Sequence, residues 1–198
     1  MSTPVTRRRF LSTSAAAGVA GLTMNTMLRD ARAADANDRL TVALIGCGGM
    51  GRRKLQNFLD AGGVDLVALC DVDPNQIANV LSNPSIKAKI GDAKVKTTAD
   101  YREIAGMKGV DTVIVATPDH WHAAITIECL KGGKHVYCEK PASHNIREAR
   151  AMLDASRKYK NLVLQIGTHQ RSAKHMQEAR EFVRSGKLGQ ITMTNTYT

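Results

Sequence analysis

From Leu40 onward, short apolar runs alternate with longer segments in which apolar positions recur at helical spacing. The runs "TVALIG" and "VDTVIVA" are nearly unbroken, as in strands covered by helices on both faces. The pattern predicts strands over residues 41–45, 64–70, 94–97, 110–116, 135–138 and 162–166. Helices are predicted over 51–61, 74–81, 101–104, 122–131, 146–159 and 174–185, several followed by the glycines of "DAGG", "KGGK" and "SGKLG". Glycine there supplies the left-handed residue that stops a helix. Strand and helix alternating in this way imply an α/β fold with a doubly wound parallel sheet. The last residues, "ITMTNTYT", alternate like a half-buried strand and have no pairing partner in the sequence.

Residues 1–33 have a different character. "TRRRFL" sets consecutive arginines before Phe10 and Leu11, "STSAAAGVAGL" follows as a stretch of small residues, and "ARA" offers small residues around a cleavage point. That order predicts a twin-arginine export signal and hence a periplasmic or other extracytoplasmic destination. The alternative is a disordered basic arm for an anionic partner. The apolar part is too short, and too poor in Leu, Ile and Phe, for stable membrane insertion.

"ADANDR", at 34–39, is a polar linker into the first strand. The whole sequence carries a formal charge of +10; without residues 1–33, 23 basic and 17 acidic side chains remain, a net +6. Those bases are scattered through "GRRKLQ", "IKAKIGDAKVK" and "ASRKYK" rather than set on one stripe with interleaved aromatic residues, which argues for a solvated surface and against a nucleic-acid partner. The four cysteines contain no C-x-x-C pair, so neither a zinc ribbon nor a redox motif is indicated.

Candidate chemistry begins where the first strand ends. In "GCGGMG", Gly46, Gly48 and Gly51 fit G-x-G-x-x-G, with Gly49 and Met50 inside the motif. A strand before it, a helix after it and an acid about twenty residues further on are the context of a Rossmann dinucleotide site. Gly46 permits the turn, Gly48 lets backbone approach a pyrophosphate, and Gly51 lets the helix lie close to the strand. Asp71, ending "VALCD", stands where a carboxylate accepts the adenosine ribose hydroxyls and repels a 2′-phosphate, favouring NAD over NADP. Arg52 and Arg53 are near enough to soften that preference.

The fourth strand leaves the sheet through Thr117 and Pro118 into "DHWHAA". Asp119 is a candidate helix cap, Trp121 a flat face, and His120 and His122 imidazoles at a helix start. Their i, i+2 spacing, without a further ligand cluster, argues against a metal.

"GCGGMG", "CDVD", "ATPDHWH", "CEKPAS" and "QIGTHQRS", in that order, resemble the glucose-fructose oxidoreductase, inositol dehydrogenase and MocA family, in particular its exported bacterial branch. The resemblance covers roughly residues 40–198 and implies a Rossmann domain over 40–170. Residues 171–198 would then form a linking helix and, in "ITMTNTYT", the first strand of a truncated α+β substrate-binding domain that often carries an oligomer interface, making a homo-oligomer the expected assembly. It further implies NAD(P) as cofactor and a sugar, inositol or related polyol as substrate. By the same resemblance, Lys140 reaches the nicotinamide and a substrate hydroxyl, and Glu139 holds the cofactor side. Thr117, Pro118 and the turn from His120 to His122 flank the ribose and nicotinamide, and Gln165 lies near the bound ring. A partly desolvated lysine beside a nicotinamide is suited to a proton relay.

Three readings follow for function: an exported NAD-dependent oxidoreductase seen through its cofactor half, a redox-assisted glycoside hydrolase of the same family, and a nucleotide-binding module without turnover. The sequence ends inside the expected second domain, which favours a piece of a longer enzyme.

Overall fold

The computed structural model describes residues 39–196. The signal expected over 1–33, and most of the linker, lie outside the described residues.

Six strands form one parallel sheet: β1 (Leu40–Ile45), β2 (Val64–Cys70), β3 (Lys96–Thr98), β4 (Thr112–Val115), β5 (His135–Glu139) and β6 (Leu164–Gly167), in the order β3-β2-β1-β4-β5-β6. Seven α-helices accompany them: α1 (Gly49–Ala61), α2 (Pro74–Leu81), α3 (Pro84–Ile90), α4 (Tyr101–Gly106), α5 (Asp119–Lys131), α6 (Ile146–Lys158) and α7 (Lys174–Arg184). A 3-10 turn at His169–Ser172 lies between β6 and α7. This is the doubly wound α/β order of a Rossmann fold, whose ligand crevice lies where the strand order reverses, here between the carboxyl ends of β1 and β4.

The strands sort their side chains to both faces. Val42 and Leu44 of β1 and Ile114 of β4 pack with Leu55 and Leu59 of α1, Val80 of α2 and Ile86 of α3. On the other face Ala43, Ile45, Val113 and Val115 pack with Ile104 of α4, Ile125 and Leu130 of α5 and Met152 of α6. Two buried faces leave no room for polar alternation, which is why β1 and β4 read as continuous apolar runs.

Differences from the sequence pattern concentrate at element ends. β4 is shorter than expected, and α5 starts at Asp119, three residues before the predicted start. Helix α3 was not anticipated because seven residues make fewer than two turns, too few to register a period. Its local signal is capping chemistry: Asn83 accepts hydrogen bonds from the backbone N–H groups of Ser85 and Ile86, and Pro84 opens the helix. The strand expected in "ITMTNTYT" is not formed over 191–196, where no neighbouring strand pairs with it. A β pattern needs a ladder partner to become a strand. All four cysteines are free and buried.

Candidate functional site

The glycine loop after β1 divides into two pairs. Gly46 has φ +91°, and a Cβ there would stand 2.6 Å from the Ala116 carbonyl carbon. A Cβ on Gly51 would collide with the Gly46 carbonyl oxygen. These two glycines shape the turn and seat α1 against it. At Gly48 and Gly49 nothing lies within 4 Å of a built Cβ, so these backbone units face open space. Helix α1 begins there with Gly48 as its cap, no capping side chain and no acid in its first turn. Its first N–H groups and positive dipole end are therefore left for an anion. Met50 beside them is half-exposed.

Asp71 follows β2 on the same edge. Its Oδ2 accepts from the Cys47 N–H at 2.7 Å and its Oδ1 from the Asp73 N–H at 2.9 Å. Each oxygen retains acceptor capacity for a hydroxyl. Arg52 is drawn to Gln76 Oε1 at 3.1 Å and the Cys47 carbonyl at 3.3 Å, bracing the loop against α2.

A largely apolar cavity of about 550 Å³ opens here, lined among others by Gly46, Gly48, Asp71, Thr117, Pro118 and Trp121. The Thr117 hydroxyl is buried and has no hydrogen-bond partner among the described residues, a donor left over at the cavity wall. Trp121, in the turn expected to flank the ribose and nicotinamide, shares this cavity with Asp71 and tilts at 59° to Tyr101, ring centroids 6.1 Å apart. The cavity thus joins an aromatic slot to a carboxylate suited to ribose hydroxyls.

The end of β5 is organised differently from expectation. Glu139 is 3% exposed and does not look out over the crevice. Lys54 Nζ of α1 lies 3.3 Å from its Oε1, and His169 Nε2 lies 3.0 and 3.1 Å from its two oxygens. The Tyr137 hydroxyl donates to Oε1 at 3.1 Å and the Lys140 N–H to Oε2 at 3.2 Å. Burial works to raise the Glu139 carboxyl, but hydrogen bonds from His169 and Lys54, with the Lys54 charge, more than offset it and leave it below its usual value. The Tyr137 hydroxyl is pushed up to about 12 by burial and then by the Glu139 charge, so it remains a donor. Glu139 is an anchor among three elements, paired inside the fold with Lys54.

Lys140 is exposed, and its bond to Pro141 is cis. His122 is 1% exposed, with Nε2 2.8 Å from the Thr117 carbonyl and Nδ1 2.7 Å from the Pro141 carbonyl. Expected to face a ligand, it is instead enclosed between the turns that follow β4 and β5. His120 is exposed, its Nδ1 3.7 Å from Asp119 Oδ1, and Asp119 also meets His144 at 3.4 Å. Asp119 is therefore the first helical residue and a partner of histidines; the cap position is taken by Pro118. Gln165, exposed on β6 opposite Tyr137 of β5, donates to the Ile166 carbonyl and does not line the cavity. Among the described residues, no group of three or more His, Cys, Asp or Glu side chains converges as a metal site, and no helix is long and apolar enough to cross a membrane.

Residues 40–168 match the model of the Gfo/Idh/MocA oxidoreductase family, described as an oxidoreductase family with an NAD-binding Rossmann fold. The chain belongs to this family. A glycosyl hydrolase family 109 protein of Saccharopolyspora erythraea is 31% identical over 96% of the chain and 45% of its own length. An inositol 2-dehydrogenase of Salmonella typhimurium is 27% identical over 79% of the chain and 45% of its own length. The solved myo-inositol 2-dehydrogenase of Lactobacillus plantarum superposes with a TM-score of 0.67 at 27% identity, covering 77% of this chain and 43% of that one. The chain thus spans less than half the length of these relatives.

Within this Gfo/Idh/MocA domain, NAD is the cofactor, and the residues fit it: open backbone at Gly48 and Gly49, an uncapped helix start, a carboxylate at Asp71 and a partnerless hydroxyl at Thr117. Two residues of the site were missed from sequence. Lys54 sits in "GRRKLQ", where it reads as one more solvated base, and only the packing of α1 on β5 buries it. His169 follows β6 by two residues, and nothing local signals that its ring returns to Glu139.

Proposed function

We propose that this domain is the cofactor half of an NAD(H)-dependent oxidoreductase that interconverts a carbinol and a carbonyl on a sugar, inositol or related polyol. The observation that carries the proposal is the continuity of open backbone at Gly48 with an apolar cavity that runs past Asp71 and Thr117, while Lys140 stands at the end of β5 two strands away. When bound, the nicotinamide accepts or returns a hydride.

The chain's own groups do the rest. The α1 N–H groups bind the pyrophosphate, Asp71 accepts the ribose hydroxyls and the Thr117 hydroxyl offers a donor along the cavity wall. The Lys140 ammonium stabilises a substrate alkoxide or, as the amine, takes the hydroxyl proton. A second domain, as in the longer relatives, would close the substrate side and carry self-association. Export by the twin-arginine route belongs to the same proposal.

The test uses the only tryptophan of the sequence, Trp121, in the cavity. Its emission should be quenched by NADH and by ADP, and a polyol panel should then produce NADH with NAD present. Absence of quenching by either nucleotide would sink the cofactor reading.

A second reading is redox-assisted glycoside cleavage, favoured by the similarity to a glycosyl hydrolase family 109 protein along nearly the whole chain. The two part on one measurement. A dehydrogenase accumulates NADH, whereas a glycosidase releases its leaving group with no net NADH.

A further inference from the structure

Lys140 lies between two residues that are each held from outside their own strand. On one side the Glu139 carboxylate is bound by His169 of the 3-10 turn and by Lys54 of α1. On the other side the Pro141 carbonyl meets Nδ1 of His122 of α5, whose Nε2 meets the Thr117 carbonyl at the end of β4. The loop beyond is tied again to α5, where His144 Nδ1 lies 3.4 Å from Asp119 Oδ2. Gly167 belongs to the same packing, since a Cβ there would run into the Tyr137 hydroxyl and come within 3.1 Å of Glu139 Oε1. The Lys140 side chain, by contrast, is exposed and makes no hydrogen bond or ion pair among the described residues. A rigid backbone on both flanks thus carries one free, flexible ammonium.

We infer that His122 and the Glu139–His169 pair are positioning residues for Lys140: they fix the peptide units on either side of it, so that its side chain is delivered to the nicotinamide end of the site. This rests on the function proposed above. A flexible four-carbon stem is placed mainly by where its Cα is held, and a displacement of about 1 Å at a reacting group costs roughly a hundredfold in rate. Two of the clamping residues, Lys54 and His122, come from elements that also shape the cofactor crevice: α1 begins at the glycine loop, and α5 begins at the turn that carries Thr117. Lys140 is thereby set in register with the dinucleotide by side chains that do not touch it.

The experiment measures how fast Lys140 is modified by an amine-reactive reagent, quantified by mass spectrometry with the other lysines as internal reference. In the unchanged chain, NADH at about ten times its dissociation constant should slow Lys140 modification roughly tenfold, while ADP leaves it unchanged. His169→Leu and His122→Phe should each bring NADH protection below about twofold at matched saturation, with ADP affinity retained. His169→Gln, which keeps a donor toward Glu139, should restore protection. Undiminished protection in the Leu and Phe variants, or equal losses of NADH and ADP affinity, would overturn the positioning role. No protection of Lys140 by NADH in the unchanged chain would overturn the placing of Lys140 at the nicotinamide. If His122→Phe does not fold, as judged by circular dichroism, the Leu and Gln variants at the exposed edge of His169 decide alone.

Discussion

Lys54 Nζ, on the first full turn after the glycine loop, stands 3.3 Å from Glu139 Oε1 at the end of β5, with both side chains buried. The helix whose uncapped N-terminus opens on the crevice is thereby tied to the end of the strand that leads into Lys140. A buried pair of this kind contributes little net stability over an apolar replacement, but removing one partner strands the other charge.

Lys54→Met should therefore destabilise the fold by about 3 kcal/mol in urea unfolding, the cost of leaving Glu139 without its cation. A loss no larger than that of an exposed lysine would show that His169 and Tyr137 suffice for the carboxylate.

Stability should depend on Glu139 in acid. Its carboxyl sits below the usual value in the folded chain, so it contributes stability that is complete above the unfolded carboxylate value and disappears as pH falls through the lower folded value. Unfolding midpoints measured from neutral pH down to about pH 3 should fall less steeply for Glu139→Gln than for the unchanged chain. Parallel curves would count against this origin.

The two glycine pairs should separate by substitution. Gly51→Ala meets the Gly46 carbonyl and should cost about 2 kcal/mol or more, since backbone has to shift. Gly48→Ala has free space and should unfold like the unchanged chain, yet lose most of its NADH affinity because the methyl occupies pyrophosphate ground. Isothermal titration with NADH, beside thermal unfolding, checks both.

If the proposed roles hold, Lys140→Ala should retain NADH binding and lose turnover, because the proposed binding surface lies around Gly48, Asp71 and the cavity while the proposed proton-handling amine follows β5. Stopped-flow binding beside steady-state rates checks this split, and full turnover in the variant would remove Lys140 from the proposed mechanism.

Burial pushes the thiols of Cys47, Cys70 and Cys129 up to about 12 and that of Cys138 to about 11. All four should resist a thiol reagent in the folded chain and react together on unfolding. Rapid labelling of any one would reveal local opening of that strand end.

Replacing Arg7 and Arg8 by lysine should leave the precursor in the cytoplasm, read by cell fractionation. Unaltered export would remove the twin-arginine proposal and leave the cofactor site untouched.

The sequence by itself determined what depends on near neighbours. Apolar runs bounded by glycine placed β1, β2 and β5, and the spacing Gly46, Gly48, Gly51 with Asp71 beyond it announced a dinucleotide loop, because turn geometry and strand period are local properties. It left α3 unseen for want of turns, and it drew a strand at 191–196 that an unpaired backbone does not keep. Only the tertiary structure decided how distant residues meet. It turned Glu139 inward to Lys54 and His169, enclosed His122 between two carbonyls, and set Trp121 in one cavity with Asp71. Those choices follow from which helix packs on which strand. Burial then allows a carboxylate only where a cation and donors from other elements converge, and one stretch of chain carries no record of that.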